Sequence, residues 1–361
     1  MDRSPFRLAP HIAALPKRRP QIDALRAIAM AGVLYVHFWN DNPVTEFIRV
    51  SLFFTVSGFL ITHILYLARV SAWPSSVTNF YIRRALRLLP ALVVLVAVGS
   101  YFDIDGFRER AWWHILPLSN LSFAYYGDVK PYVTGQLWSL SVLEQFYILW
   151  PLVLLFLPLP LIYLAAGAGW ILTVFLRVNA AELGIGSWYV WPILAADPIF
   201  VGAVAYLLCQ FRSFAATTCA WPTQLVALAI LALPYLLWDG FGRSESYRLL
   251  VQPALAAIVV GAFFGYSGPV GWVMRHPLMG FLSKISYGVF VYHLLVLWAI
   301  DELLPGLREG QPAQWSILAI AATLLAATLS WYLIEEPIAR LKRHFPTRGA
   351  QRPAEPTAQR P

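Results

Sequence analysis

Long apolar runs separated by short polar or charged stretches organise the whole chain. Runs of the length a bilayer crossing needs, about 20 residues, fall at roughly 22–39, 47–68, 88–102, 136–157, 159–176, 190–211, 220–238, 249–267, 281–300 and 314–334. The pattern predicts an all-α, polytopic integral-membrane bundle of about ten transmembrane helices, the third being the shortest. It divides the chain into a basic N-terminal tail (1–21), one membrane-embedded domain (22–335) and a C-terminal tail (336–361). The last stretch, Pro346–Pro361, lacks aromatic and long aliphatic side chains and is expected to be disordered.

Composition agrees with the pattern. Of 361 residues, 59% are hydrophobic and 13% charged, whereas soluble domains average roughly 45–50% and about 25%. A soluble globular protein is excluded. The net charge of +8 at first suggests a polyanionic partner, but its distribution explains it otherwise. With the N-terminus in the cytosol, the inner segments carry 18 Lys+Arg against 4 Asp+Glu and the outer segments 8 against 12. This is the positive-inside asymmetry, so both termini are expected in the cytosol and no nucleic acid is needed. Lys17, Arg18 and Arg19 precede the first run with no cleavage pattern, which reads as an uncleaved start helix.

The candidate chemistry is confined to a few ionisable residues inside apolar runs, where each costs something like 2.5–3.5 kcal/mol on insertion scales. In the first run Arg26 and His37 are eleven residues apart, about 20° around a helix and about 16 Å along it. They share one face, the guanidinium near the inner end and the imidazole deeper, which suits an anionic donor entering from the cytosol. Arg26 snorkelling to the interface and His37 bonding a neighbouring helix is an equally good account of the two alone. Ser57 and Gly58 interrupt a stretch of large residues and allow close approach of a backbone or ligand. Arg83, Arg84 and Arg87 precede the third run, with Arg84 and Arg87 on one face; they suit phosphate oxygens, although arginines at this place more often only anchor topology.

Further along, Glu144 and Gln145 lie within the fourth run, with Gln136, Trp138 and Ser139 nearer its outer end. Ser286 and His293 are seven residues apart and share a face of the ninth. His63 and His114 fall nearer the interfaces and look like ordinary surface histidines. Cys209 and Cys219 are too few for a disulfide framework and show no metal-ligand spacing, and no GxSxG, GxxxxGK[ST], HExxH or GxGxxG pattern occurs. Neither a metal nor a permanently bound cofactor is expected. No repeat is apparent, which counts against a transporter or flippase, a reading the intramembrane polar groups otherwise allow.

Taken in order, these segments resemble the acyltransferase 3 family of bacterial integral-membrane acyltransferases, which modify carbohydrates and related acceptors. Arg26 and His37 fit its Arg-x10-His motif, Ser57–Ile61 its SGFLI, Arg84 and Arg87 its Arg-x-x-Arg, and Trp138–Pro151 its WSLSVxEQFYxxWP. Ser286, Tyr287 and His293 fit a late-helix pattern, and Ile334–Pro337 a closing IEEP. The family usually has two glutamates before QFY, and here the first position is Leu143.

The resemblance implies a multi-pass enzyme of the bacterial cytoplasmic (inner) membrane and an acyl-CoA donor, acetyl-CoA above all. It implies an acceptor that is a carbohydrate, a lipid-linked glycan or another small hydroxylated compound. Arg26, Arg84, Arg87, Ser57 and Gly58 would bind acyl-CoA and His37 would be the general base, by direct transfer or through an acyl-histidine; Glu144, Trp138 and His293 would be supporting polar residues. Two-stage members carry an extra C-terminal domain, so a chain of this length looks like a stand-alone transferase.

Overall fold

The computed structural model describes residues 7–16, 18–71, 75–186, 190–237, 242 and 244–345. Lys17 and the stretch Pro346–Pro361 lie outside them. The described chain is a helical bundle whose principal helices are α1 (Pro20–Phe38), α2 (Pro43–Ser71), α3 (Ser75–Phe102), α4 (Phe107–Ile115), α5 (Ser119–Tyr126), α6 (Leu137–Phe156) and α7 (Leu159–Val178). They continue with α8 (Asp197–Leu208), α9 (Arg212–Cys219), α10 (Trp221–Leu236), α11 (Glu245–Phe264), α12 (Pro277–Leu303) and α13 (Pro312–Ser330). Several begin on proline, whose fixed φ and missing N–H suit a first helical position.

Among the described residues seven helices are long and apolar enough to cross a membrane, or up to eight if the pair α8 and α9, bent by 118°, counts as one span. The expectation was about ten. α10 is short for a crossing at 16 residues. α1 is long enough at 19 residues, but Asp23, Arg26 and His37 dilute its apolar content. Those same polar residues explain its place: α1 packs between α2 and α12 in the interior of the bundle. The third apolar run also proved longer than expected. Its helix begins at Ser75, so Arg83, Arg84 and Arg87 sit two to three turns inside α3 rather than in a segment before it.

The largest hydrophobic cluster joins α2, α6, α8 and α11. At its centre α2 and α8 meet backbone to backbone. A Cβ on Gly58 would overlap the Ile199 carbonyl, and one on Gly202 the Thr55 carbonyl. Small residues at such a crossing let two helices approach closely where no hydrophobic force drives them together.

Both ends of the described residues are tied to the bundle. Tyr66 donates a hydrogen bond to the Arg7 carbonyl (3.1 Å), His11 donates to the Cys209 carbonyl (2.8 Å), and Ile12 is buried. At the other end α13 runs into a π-helical turn, Trp331–Glu335, and short helical turns through His344. Arg83 holds that segment by donating to the carbonyls of Lys342 (2.8 Å) and Phe345 (3.3 Å).

The seam between α2 and α8 generates a stability prediction. Overpacking a tight contact costs about 1–3 kcal/mol, so Gly58→Ala and Gly202→Ala should each lower Tm in detergent by several degrees. Gly167→Ala in α7, where an added Cβ meets nothing within 4 Å, should leave Tm unchanged or raise it slightly.

Candidate functional site

Helices α1, α2, α3, α6 and α12 enclose a cavity of about 240 Å³. From α1 come Arg26, Ala29, Met30 and Val33, the spacing of one helix face. α2 contributes residues from Arg49 to Ile64, including Ser57, which is about 22 Å of helix. Arg26, Arg84 and Arg87 stand toward one end of this passage and Arg49 at the other. Among the described residues that line it there is no carboxylate.

At the three-arginine end each guanidinium is held differently. Arg84 donates from Nε to Glu144 Oε1 at 3.2 Å, with Nη2 3.1 Å from the same oxygen, and its guanidinium lies 3.5 Å over the Tyr147 ring. Arg87 lies 5.1 Å over the Trp331 ring and donates to the Lys284 carbonyl at 3.4 Å. Its countercharge is Glu335, 2% exposed, which accepts from Ser330 Oγ at 3.1 Å. Arg26 makes no salt bridge within 4 Å among the described residues. Guanidinium forks with unused donors are well matched to phosphate oxygens.

Glu144 approaches Arg84 from a second, smaller cavity of about 150 Å³ between α3 and α6. It therefore positions an arginine of the main cavity. Leu143, where the resemblance leads one to expect a second carboxylate, is fully buried in the large hydrophobic cluster.

At the far end His37 is one turn beyond Val33 and does not itself line the cavity. Arg49 connects the two. Its Nη2 lies 3.2 Å from His37 Nε2, and because a guanidinium only donates, that imidazole nitrogen is the acceptor. Glu46 anchors the same guanidinium, accepting from Nε at 2.6 Å and from Nη2 at 2.5 Å. Behind His37 stands His293, with ring centroids 4.7 Å apart. His293 Nδ1 donates to the Phe290 carbonyl at 2.8 Å, which leaves Nε2 as a buried acceptor with no hydrogen-bond partner among the described residues.

Ser57 and Ser286 are on the cavity wall, the latter with its hydroxyl donating to the Ser283 carbonyl at 2.8 Å. Gly58 is not: it is turned into the seam with α8, so it shapes α2 packing rather than a ligand surface. Trp138 is half-buried and packs edge-on against Phe54, ring centroids 6.1 Å apart, without lining the cavity. His63 is half-buried among Tyr206 and Phe263.

His114 is not a surface histidine. It is 1% exposed, accepts at Nδ1 from Ser119 Oγ (2.9 Å) and faces Thr134 Oγ1 through Nε2 (3.4 Å). Burial, reinforced by the nearby Arg110 charge, pushes it down to about 4, so it is neutral at ordinary pH.

Arg49 escaped the sequence reading because an arginine at the outer start of an apolar run looks like a boundary charge. The available signal was its spacing of eight residues from Ser57, which puts the two within about 80° on the helix. Glu335 was likewise embedded in a terminal motif with no sign of its burial.

Comparison with known proteins adds an independent finding. The model of the acyltransferase 3 family, described as an acyltransferase domain, matches residues 19–335. The chain is 27% identical to a peptidoglycan O-acetyltransferase of Listeria monocytogenes, over 88% of this chain and 55% of that protein. It is 27% identical to a putative peptidoglycan O-acetyltransferase of Bacillus subtilis, over 88% and 54%. It is 26% identical to a putative O-acetyltransferase of Staphylococcus aureus, over 88% and 57%. The chain thus spans about half the length of these relatives, and no solved structure matches it.

The pairing of Arg84 with Glu144 can be checked directly. Removing one partner of a fully buried ion pair costs about 3–5 kcal/mol; with side chains 27% and 16% exposed, about 1–3 kcal/mol is expected here after discounting for screening. Glu144→Leu should therefore lower Tm in detergent clearly more than Glu144→Gln, which keeps an acceptor for Arg84.

Proposed function

Because the chain belongs to the acyltransferase 3 family, we propose that it transfers an acyl group, acetyl above all, from acyl-CoA to a hydroxyl of a carbohydrate or glycan acceptor. The observation that carries this reading is a single cavity with three guanidinium groups toward one end and, at the other, Arg49, which links it to the histidine pair behind its wall. The names of the relatives, peptidoglycan O-acetyltransferases among them, favour acetyl and a glycan.

In this reading Arg26, Arg84 and Arg87 hold the phosphates of acyl-CoA, and the pantetheine arm lies along the passage of about 22 Å toward Arg49. Ser57 lies on the wall between the two ends. His37 accepts the proton of the acceptor hydroxyl as its oxygen bonds to the thioester carbonyl carbon. When the tetrahedral adduct collapses the C–S bond breaks, and the thiolate of coenzyme A takes the proton back from the imidazolium. Such a base supplies typically 10²–10⁴ in rate. His293, in contact behind His37 and itself fixed by the Phe290 carbonyl, holds the ring in place. The positive-inside asymmetry supports a cytosolic position for the three-arginine end, from which acyl-CoA would enter. The donor diffuses in and the thiol product leaves, so no resident cofactor takes part.

Purified protein given acetyl-CoA and glycan acceptors should release free thiol in step with acceptor acylation. His37→Ala at equal expression should lose at least about a hundredfold of that rate; full activity would remove His37 from the base role. Replacing Arg84 and Arg87 together with Gln should weaken coenzyme A binding by about tenfold or more, measured by calorimetry, and unchanged affinity would leave them as topology anchors. Flux of acceptor across vesicles with no thiol release would instead identify a transporter or flippase.

A further inference from the structure

Arg49 belongs to none of the groups that the proposed acyl transfer assigns, yet it both lines the cavity and touches His37. It is only 9% exposed. A buried guanidinium must place five N–H groups. Here Nε goes to Glu46 Oε2, and Nη2 goes to Glu46 Oε1 and His37 Nε2. Nη1, with two N–H groups, has no hydrogen-bond partner among the described residues and is not among the buried unpartnered atoms either. The free edge of the fork is therefore accessible, on a side chain that lines the cavity.

A second consequence concerns the histidine. While Nη2 donates to Nε2, the lone pair that would take a proton from an acceptor is occupied. In the geometry seen, His37 is a capped base.

We propose that Arg49 is the receptor for the acyl carbonyl oxygen, and that its shift from His37 to that oxygen uncaps the base only when a donor is in place. The inference rests on the acyl-transfer reading and deepens it by assigning the electrophilic partner of that same site. Glu46 makes the shift feasible, because its two contacts to Nε and Nη2 keep the fork anchored while the contact to His37 is exchanged.

The chemistry balances with the groups present. The hydroxyl oxygen forms its bond to the thioester carbon and its proton goes to His37 Nε2. The carbonyl π pair moves to oxygen, where the Arg49 fork stabilises the oxyanion. The pair then returns, the C–S bond breaks, and the thiolate leaves with the proton from His37. Without a donor, Arg49 keeps Nε2 engaged and water is not activated in the empty cavity.

A purely structural role for Arg49, as a staple between α1 and α2, requires no open Nη1 and predicts loss of stability instead of loss of turnover. The two accounts separate experimentally in the full-length protein, with acetyl-CoA and an acceptor that the wild type uses. Removing one preorganised oxyanion donor costs about 10²–10³ in kcat. Arg49→Gln should show that loss in kcat, while KM for acetyl-CoA and the calorimetric affinity for coenzyme A stay within about threefold of wild type. Added guanidinium ion should restore part of the activity of Arg49→Gly.

If Arg49→Gln does not fold, Arg49→Lys decides. One ammonium cannot hold Glu46 and a carbonyl in the same planar geometry, so kcat should fall at least about tenfold despite the retained charge. A kcat within a few-fold of wild type in either variant would overturn the proposal, as would equal losses of kcat, coenzyme A affinity and Tm. Absence of thiol release by the wild type itself would instead remove the acyl-transfer reading on which it stands.

Discussion

A charged side chain in hydrocarbon must find a partner or a wet cavity, and this constraint orders the bundle from its centre outward. Arg26, Arg49, Arg84 and Arg87 all turn onto one internal space, and Glu46, Glu144 and Glu335 sit where they serve three of those cations. Had the same groups been scattered over the helix surfaces, each would have faced lipid alone. α1 shows the constraint most plainly. Its polar residues make it a poor crossing by apolarity, and packing between α2 and α12 makes them tolerable.

The cavity owes its shape to a division of labour on α2. One side carries Arg49, Val50, Phe53, Val56, Ser57, Leu60, Ile61 and Ile64 to the open space. Another carries Thr55, Gly58 and Phe59 to α8, where glycine allows backbone to meet backbone. The motif around Ser57 therefore has two physical meanings in adjacent residues: a hydroxyl for the cavity and an absent side chain for the helix contact. The ends of the cavity differ in the same local way. One gathers guanidinium groups with donors to spare, and the other couples a guanidinium to the His37 imidazole, with the His293 ring against it.

Much of this was legible before any coordinates. Helix class followed from run length, and the common face of Arg26 and His37 from their spacing of eleven residues, although only Arg26 lines the cavity and His37 lies one turn beyond it. Motif resemblance singled out Arg84, Arg87, Glu144 and His293, all of which lie in or against the site. What was not legible depended on neighbours distant in the chain. Arg49 reads as a boundary charge until His37 is brought against it, Gly58 as a ligand contact until Ile199 is, and His114 as a surface residue until Ser119 and Thr134 enclose it. Run length alone also does not reveal the 118° break between α8 and α9 or a helix as short as α10, so the described helices that pass as crossings number seven to eight where about ten were expected.

The glycine seam between α2 and α8 has a mechanical corollary. Where a carbonyl sits in the place of a side chain, neither rod can slide or roll past the other without collision, since packed interiors are bistable rather than continuously deformable. The α2–α8 pair is in that sense a door jamb. Any opening of the chamber to one side of the bilayer or the other then has to come from the opposite leaf, where α3 and α12 meet through a smaller apolar cluster and hydrogen bonds such as Tyr287 to the Leu88 carbonyl and Arg87 to the Lys284 carbonyl.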